Sequence, residues 1–295
     1  MILEEKAIRE KRRIAMTSVI AAIFLTSFKL IIGFLTGSLG ILSEALHSGL
    51  DLVAALITFF AVKFADRPAD SDHQYGHGKI ENYSALVETL LLLITCAWII
   101  YEAVRRLVTG TVEIEVTYWS FIVISTSIIV DISRSRALYK VAKKYNSQAL
   151  EADALHFSTD IWSSVVVLIG LFFASLDFFY ADTIAALIVA CIVLIVSYRL
   201  GKRSFDALID KAPEGLNEKI SELLGQIPEI IKFHDVRVRE AGAYKFVELN
   251  IHVDKTLNIN DAHRISHKAE ELILTNISNI KVTIHIEPEV EKEQI

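Results

Sequence analysis

Ala45-Leu46-His47-Ser48-Gly49-Leu50-Asp51 and Ala154-Leu155-His156-Phe157-Ser158-Thr159-Asp160 are two copies of one pattern, Ala-Leu-His-x-x-x-Asp, each set in an otherwise apolar stretch. Residues four apart share a helix face, so each copy presents an imidazole beside a carboxylate. Brought together, the two faces make a cage of His47, Asp51, His156 and Asp160, a nitrogen and oxygen set of tetrahedral number that suits zinc. Ionisable groups inside a membrane helix mark a functional site, and interhelical hydrogen bonding is the plainer use of the same side chains.

The surrounding composition supplies the membrane. Of 295 residues 53% are hydrophobic, mean hydropathy is +0.42, and the apolar runs reach the roughly 20 residues that cross a bilayer. Six spans are predicted, at about 14–36, 38–65, 78–106, 116–140, 147–175 and 182–202. After residue 210 short strands alternate with helical patterns, and residues 211–295 carry 11 Lys and Arg against 15 Asp and Glu. The expected fold is a multi-pass α-helical membrane protein with six transmembrane helices over 1–210. A C-terminal α+β, ferredoxin-like domain of order α-β-β-α-β follows over 211–295.

Basic residues set the orientation, because cytoplasmic loops carry an excess of Lys and Arg. Lys6, Arg9, Lys11, Arg12 and Arg13 precede the first span; Lys63, Arg67 and Lys79 flank the second loop; Arg134, Arg136, Lys140, Lys143 and Lys144 crowd the fourth; Arg199, Lys202 and Arg203 follow the sixth. These places share one side, while the opposite loops at Thr36–Gly40 and Leu176–Ala181 lack basic residues, and Glu113 and Glu115 follow Arg105 and Arg106. Both termini are therefore expected in the cytoplasm. The charges at 4–13 run straight into a full span, which is not the order of a secretory signal. Cys96 and Cys191 lie inside spans without a CxxC spacing and read as packing residues. No basic stripe points to nucleic acid.

Two further polar groups stand in the spans, where a bare charge costs at least about 2.5 kcal/mol. Asp131 has Arg134 one turn away and reads as a local ion pair; Glu88 has no evident partner in the sequence. Between the second and third spans, Asp70, His73 and His77 are spaced so that a turn entering a helix gathers all three, either as a metal shell or as a solvated turn. In the last domain a helix is expected near 215–226, strands at 233–239 and 245–253, a helix at about 260–275 and a strand at 280–287. Alternation puts Glu248, Asn250 and His252 opposite Val247, Leu249, Ile251 and Val253, and puts His285 and Glu287 opposite Val282, Ile284 and Ile286. His263 and His267 lie off the apolar stripe of their helix, and His234 alternates with Val236 and Val238.

Six spans, paired HxxxD in the second and fifth, the stretch PADSDHQYGHGK from Pro68 to Lys79 and the α-β-β-α-β domain together resemble the cation diffusion facilitator family, bacterial zinc/proton antiporters especially. The resemblance covers nearly the whole chain. It implies a transport site at His47, Asp51, His156 and Asp160, a loop site at Asp70, His73 and His77, and a binuclear zinc site at His234, His252, His263, His285 and Glu287. Eight of the nine histidines are then placed, with His267 left over. It also implies a homodimer with a charge interlock between Lys79 and Asp210, or Asp206. Two departures stand out: His47, where several bacterial members have Asp, softens the cage toward zinc, and Glu287 replaces the usual Asp.

These readings imply secondary active efflux of Zn2+ from the cytoplasm across the cell membrane in exchange for H+. A metal that binds deprotonated ligands expels protons as it binds, with His47 and His156 as leading carriers near pH 6–7. No GxxxxGK[ST] or DKTG motif offers ATP as an energy source. Zinc is thus expected as substrate and as a structural or regulatory ligand, with the lipid bilayer as surroundings. An intramembrane zinc hydrolase would need an open coordination position and a general base, and there is no HExxH. A membrane metal sensor without transport would need no buried cage.

Overall fold

The computed structural model describes residues 2–109, 118–174 and 180–289; Glu113, Glu115 and most of the turn expected at 176–181 lie outside them. Six long helices come first: α1 (Ile2–Thr36), α2 (Leu39–Ala65), α3 (Lys79–Thr109), α4 (Tyr118–Tyr145), α5 (Gln148–Ala174) and α6 (Tyr180–Leu208). Each expected span falls on one of them. The helices overrun the spans where Lys, Arg and Glu, all good helix formers, carry the coil past the apolar stretch, as at the start of α1 and the end of α4. Among the described residues Glu5–Thr36, Glu44–Ala65 and Lys79–Arg105 are long and apolar enough to cross a bilayer unaided. The middle of α4 is interrupted by Asp131 and Arg134.

Short connections set neighbouring helices side by side. Gly37 turns the chain with φ 67°, and Ser38 caps α2 by accepting the Ile41 N–H at 3.4 Å. Asn146 does the same before α5 with φ 52°. Helices α1 and α2 pair, α4 and α5 pair, and α5 also packs on α2 and α3. Side chains in this bundle are distributed opposite to those of a soluble one: Ile20, Phe24, Phe34, Leu35, Leu46 and Leu50 are exposed, while Ser18, Lys29, Asp51, Glu88, Asp131, Asp153 and His156 are buried. That is the pattern expected where the solvent is hydrocarbon. Cys96 is buried as expected, but Cys191 is exposed on the chain's surface and packs no core of its own.

At one end of the bundle a buried cation holds four helices. Lys11 of α1 contacts Asp66, just after α2, and Glu81 of α3 at 3.0 Å; Glu81 also accepts from Ser147 at the head of α5. The expected pair of Arg134 with Asp131 is present at 3.5 Å, and Arg134 also lies over the Phe157 ring. Glu88, which showed no partner in the sequence, accepts hydrogen bonds from Thr58 and Ser84.

The chain divides into two compact units, Met1–Phe205 and Asp206–Ile295. The second contains α7 (Leu216–Leu224), β1 (Lys232–Ala241), β2 (Tyr244–Val253), α8 (Ile259–Asn276) and β3 (Ile280–Pro288), the α-β-β-α-β order expected. Strands β1 and β2 are antiparallel and joined through Gly242, whereas β2 and β3 are parallel, so α8 makes the crossover. Val247, Leu249, Ile251 and Val253 of β2 share a core with Ile220 and Leu224 of α7 and with Ile265, Ala269 and Ile273 of α8. The helices cover one face of the sheet. Glu248, Asn250 and His252 stand on the other.

Substituting Lys11→Ala should cost about 3–5 kcal/mol, because Asp66 and Glu81 are then buried without their cation. A lowered unfolding temperature of the detergent-solubilised protein checks this. Glu5→Ala, which removes only an exposed partner of Arg9, should leave that temperature unchanged.

Candidate metal centres

The membrane centre arises where α2 and α5 cross. His156 Nε2 lies 3.0 Å from Asp51 Oδ1 and 3.9 Å from Asp160 Oδ2, while His47 Nε2 lies 3.7 Å from Asp160 Oδ1 and 4.0 Å from Asp51 Oδ1. A tetrahedral zinc ion with bonds of about 2.0–2.1 Å needs ligand atoms about 3.3–3.4 Å apart. These contacts bracket that value; His47, Asp51 and Asp160 offer ligand atoms all within 4.8 Å of one another, and His156 adjoins them through Asp51 and Asp160. Asp51 and His156 are buried, His47 is half-buried, and His156 Nδ1 and Asp160 Oδ2 are buried without a hydrogen-bond partner. A cation in the cage would supply the charge that the two facing carboxylates lack.

The loop centre is wetter. Asp70 accepts the backbone N–H groups of His73 at 2.7 Å and Asp72 at 3.0 Å. Those two donors hold its carboxyl below the usual carboxylate range, and the neighbouring His77 and His73 act the same way. The carboxylate is thereby ready as a ligand at neutral pH. His73 Nδ1 and His77 Nε2 each stand 3.4 Å from an Asp70 oxygen, and the two rings lie 4.4 Å apart.

In the second unit three of the five expected residues converge. His234 Nε2 is 3.0 Å from His252 Nε2 and 3.4 Å from Glu287 Oε2, and His252 Nε2 is 3.2 Å from the same oxygen. These edges match the tetrahedral spacing given above, so two imidazoles and a carboxylate fit zinc here. Strict alternation puts His234 with Val236 and Val238, facing the core. A bulge between His234 and Arg237, with Asp235 at φ 52°, reverses the parity and turns His234 onto the polar face opposite Asn250. His285 is largely exposed, 3.9 Å from Glu287 Oε1. His263 is not brought to the cluster: it lies against His267 on α8, whose apolar side covers the other face of the sheet.

Two residues beside this cluster have no role in the sequence reading: alternation places Asn250 only on the polar face, and Glu289 is not singled out. Asn250 donates to Glu287 Oε1 at 3.0 Å, and Glu289 Oε2 lies 2.8 Å from His252 Nδ1. Alternation along β3 was the available signal, since Glu289 is two residues beyond Glu287. Near the membrane cage, Asp153 lies one turn before His156 on α5, and Lys29 joins Glu44 at 3.2 Å and Ser48 at 2.8 Å. Of the residues suggested for an interlock, Asp210 faces Arg239 at 3.8 Å, Asp206 is bound by Lys211 at 2.7 Å, and Lys79 opens α3.

A six-helix membrane bundle with a buried His/Asp cage and an appended α+β domain with a second ligand cluster defines a metal-handling membrane transporter. Residues 15–209 match the family described as the cation efflux transmembrane domain, and residues 212–289 match the cation efflux protein cytoplasmic domain. The chain belongs to the cation efflux, or cation diffusion facilitator, family, whose members export metal cations. It is 28% identical to the cation-efflux pump FieF of Shewanella oneidensis, covering 92% of both chains. It is 32% identical to an uncharacterized transporter of Methanocaldococcus jannaschii, covering 95% of this chain and 99% of that one. Among solved structures, the metal-bound C-terminal domain of the CzcD transporter from Thermotoga maritima is 34% identical, with a TM-score of 0.24, covering 24% of this chain and 85% of that one.

Removing an outer partner of a metal ligand typically costs about 10–100-fold in affinity, and removing a ligand costs more. His252→Ala should therefore abolish one class of zinc site in titration calorimetry of the full chain. His263→Ala, outside the cluster, should leave the number of sites unchanged.

Proposed function

We propose that the chain exports Zn2+ from the cytoplasm in exchange for H+, by alternating access to the cage of His47, Asp51, His156 and Asp160. The observation that carries this is the convergence of two imidazoles and two carboxylates from antiparallel helices at distances suited to zinc. Zinc binds deprotonated imidazole and carboxylate, so protons and metal compete for the same atoms. If the cage opens to one side at a time, proton entry drives metal exit. Two imidazoles in the ligand set favour Zn2+ over the harder divalent cations.

The remaining parts take supporting roles. The excess of Lys and Arg in the loops on one side supports a cytoplasmic position for both termini and the domain 211–295, with the transport domain 1–210 in the cell membrane. The second unit holds a homodimer together and carries zinc as a structural or regulatory ligand at His234, His252 and Glu287. Asp70, His73 and His77 form an accessory site on the same cytoplasmic side, and Lys79 and Asp210 are the candidates for a charge interlock at the centre of the homodimer. A sensor without transport would have no use for a closed four-ligand cage in the bundle.

In liposomes holding the purified protein and a trapped pH dye, external Zn2+ should enter and alkalinise the interior as H+ leaves. His47→Ala and Asp160→Ala should each slow this flux by at least about tenfold. His47→Asp should keep flux and shift preference toward harder divalent cations such as Mn2+. Native rates in both alanine variants would overturn the assignment.

A further inference from the structure

The bundle buries an acid with no place in the cage. Glu88 on α3 is 0% exposed; its Oε1 accepts the hydroxyls of Thr58 on α2 and of Ser84, the latter at 3.2 Å, and its Oε2 is buried without a partner. Among the described residues no basic side chain pairs with it. The two cations buried in the body of the bundle are taken: Arg134 faces Asp131 and donates to Ser18 at 3.0 Å, and Lys29 reaches Glu44 and Ser48. Among the described residues, two titratable groups of α5 act on Glu88 through their charges: Asp153, itself fully buried and accepting from Ser18 at 3.0 Å, and the cage ligand His156.

Hydroxyl donors alone do not replace the hydration of a carboxylate in the interior of a membrane bundle, where an unpaired charge is among the most expensive groups to bury. A proton on Glu88 removes that cost, and glutamine would provide the same hydrogen bonding without titrating. What glutamate adds is a site that can be emptied. We propose that Glu88 is a proton-binding site outside the ligand set, loaded when the cage is free of metal and discharged when a divalent cation occupies it. This rests on reading His47, Asp51, His156 and Asp160 as the cage.

The exchange balances simply. When metal arrives at the cage, its charge favours the carboxylate form of Glu88; the O–H bond breaks, the electron pair stays on the carboxylate, and the proton leaves to water. When metal departs, one proton returns to the same group. Glu88 thus adds to the protons displaced from the ligands themselves.

Counting protons released as Zn2+ binds to the detergent-solubilised full chain, in weak buffer with a pH dye, tests this. Glu88→Gln should release about one proton fewer per metal ion bound, with zinc affinity weakened about tenfold, because a proton given up fully on metal binding is coupled to the metal by about that factor. Glu88→Asp should restore the release. An unchanged proton count in Glu88→Gln overturns the proposal, and so does an unchanged count with affinity weakened about 10–100-fold, which marks a residue that only supports the ligands. Infrared difference spectra of the unsubstituted protein give a second readout, independent of whether Glu88→Gln folds. The carbonyl band of a buried carboxylic acid should disappear on adding Zn2+, and its persistence overturns the proposal. A parent protein that binds zinc without releasing any proton would instead overturn the exchange reading of the cage.

Discussion

A charge inside a bilayer has to be matched by an opposite charge, by hydrogen bonds or by a proton, and the architecture of this chain is organised around that constraint. Asp51 and Asp160 stand on facing helices with two imidazoles between them, and no lysine or arginine contacts either one among the described residues. Such a group is stable with protons on it or with a divalent cation in it. Burial makes the two states alternatives, because the interior tolerates the net charge of neither an empty, deprotonated cage nor one that is both protonated and metal-filled. The proposed exchange of metal for proton rests on the same penalty that makes the site expensive.

The other buried charges show the contrasting solution. Lys11 with Asp66 and Glu81, Lys29 with Glu44, and Arg134 with Asp131 each bring a cation and a carboxylate together inside one chain, which fixes helix ends and helix faces but leaves no vacancy for a metal. Between these two kinds of group lies Glu88, hydrogen-bonded yet without a cation. Exposure grades the three ligand clusters in a similar way. The cage is mostly buried, the His234, His252 and Glu287 cluster is half-buried, and Asp70 and His73 of the loop are open to water. Metal exchange should be easiest where desolvation is least, so the open loop cluster should equilibrate with the surrounding water fastest and the buried cage slowest.

Much of this was legible because it depends on short periods. Four-residue spacing put His47 with Asp51 and His156 with Asp160, and the order of spans made α2 and α5 antiparallel. Two-residue alternation correctly separated Glu248, Asn250 and His252 from the core of the second unit. It failed at His234, where the bulge at Asp235 inserts a residue and reverses the parity; an aspartate, a type that tolerates positive φ, was the one signal of the bulge in that strand. His263 shows another limit. Its position off the apolar stripe of α8 is plain in the sequence, but whether that helix covers the same sheet face as the histidines is a matter of packing. Of the partners of Glu88, Ser84 stands at the legible four-residue spacing, but Thr58 was illegible for the same reason as His263, coming from a neighbouring helix thirty residues away.

The most direct measurement of the central claim is zinc X-ray absorption on the full chain carrying His73→Ala and His252→Ala, so that the membrane cage holds the metal. The expected spectrum is that of four nitrogen and oxygen ligands at about 2.0–2.1 Å, with the outer scattering of two imidazoles. A six-coordinate oxygen shell, or scattering from no more than one imidazole, would contradict that claim.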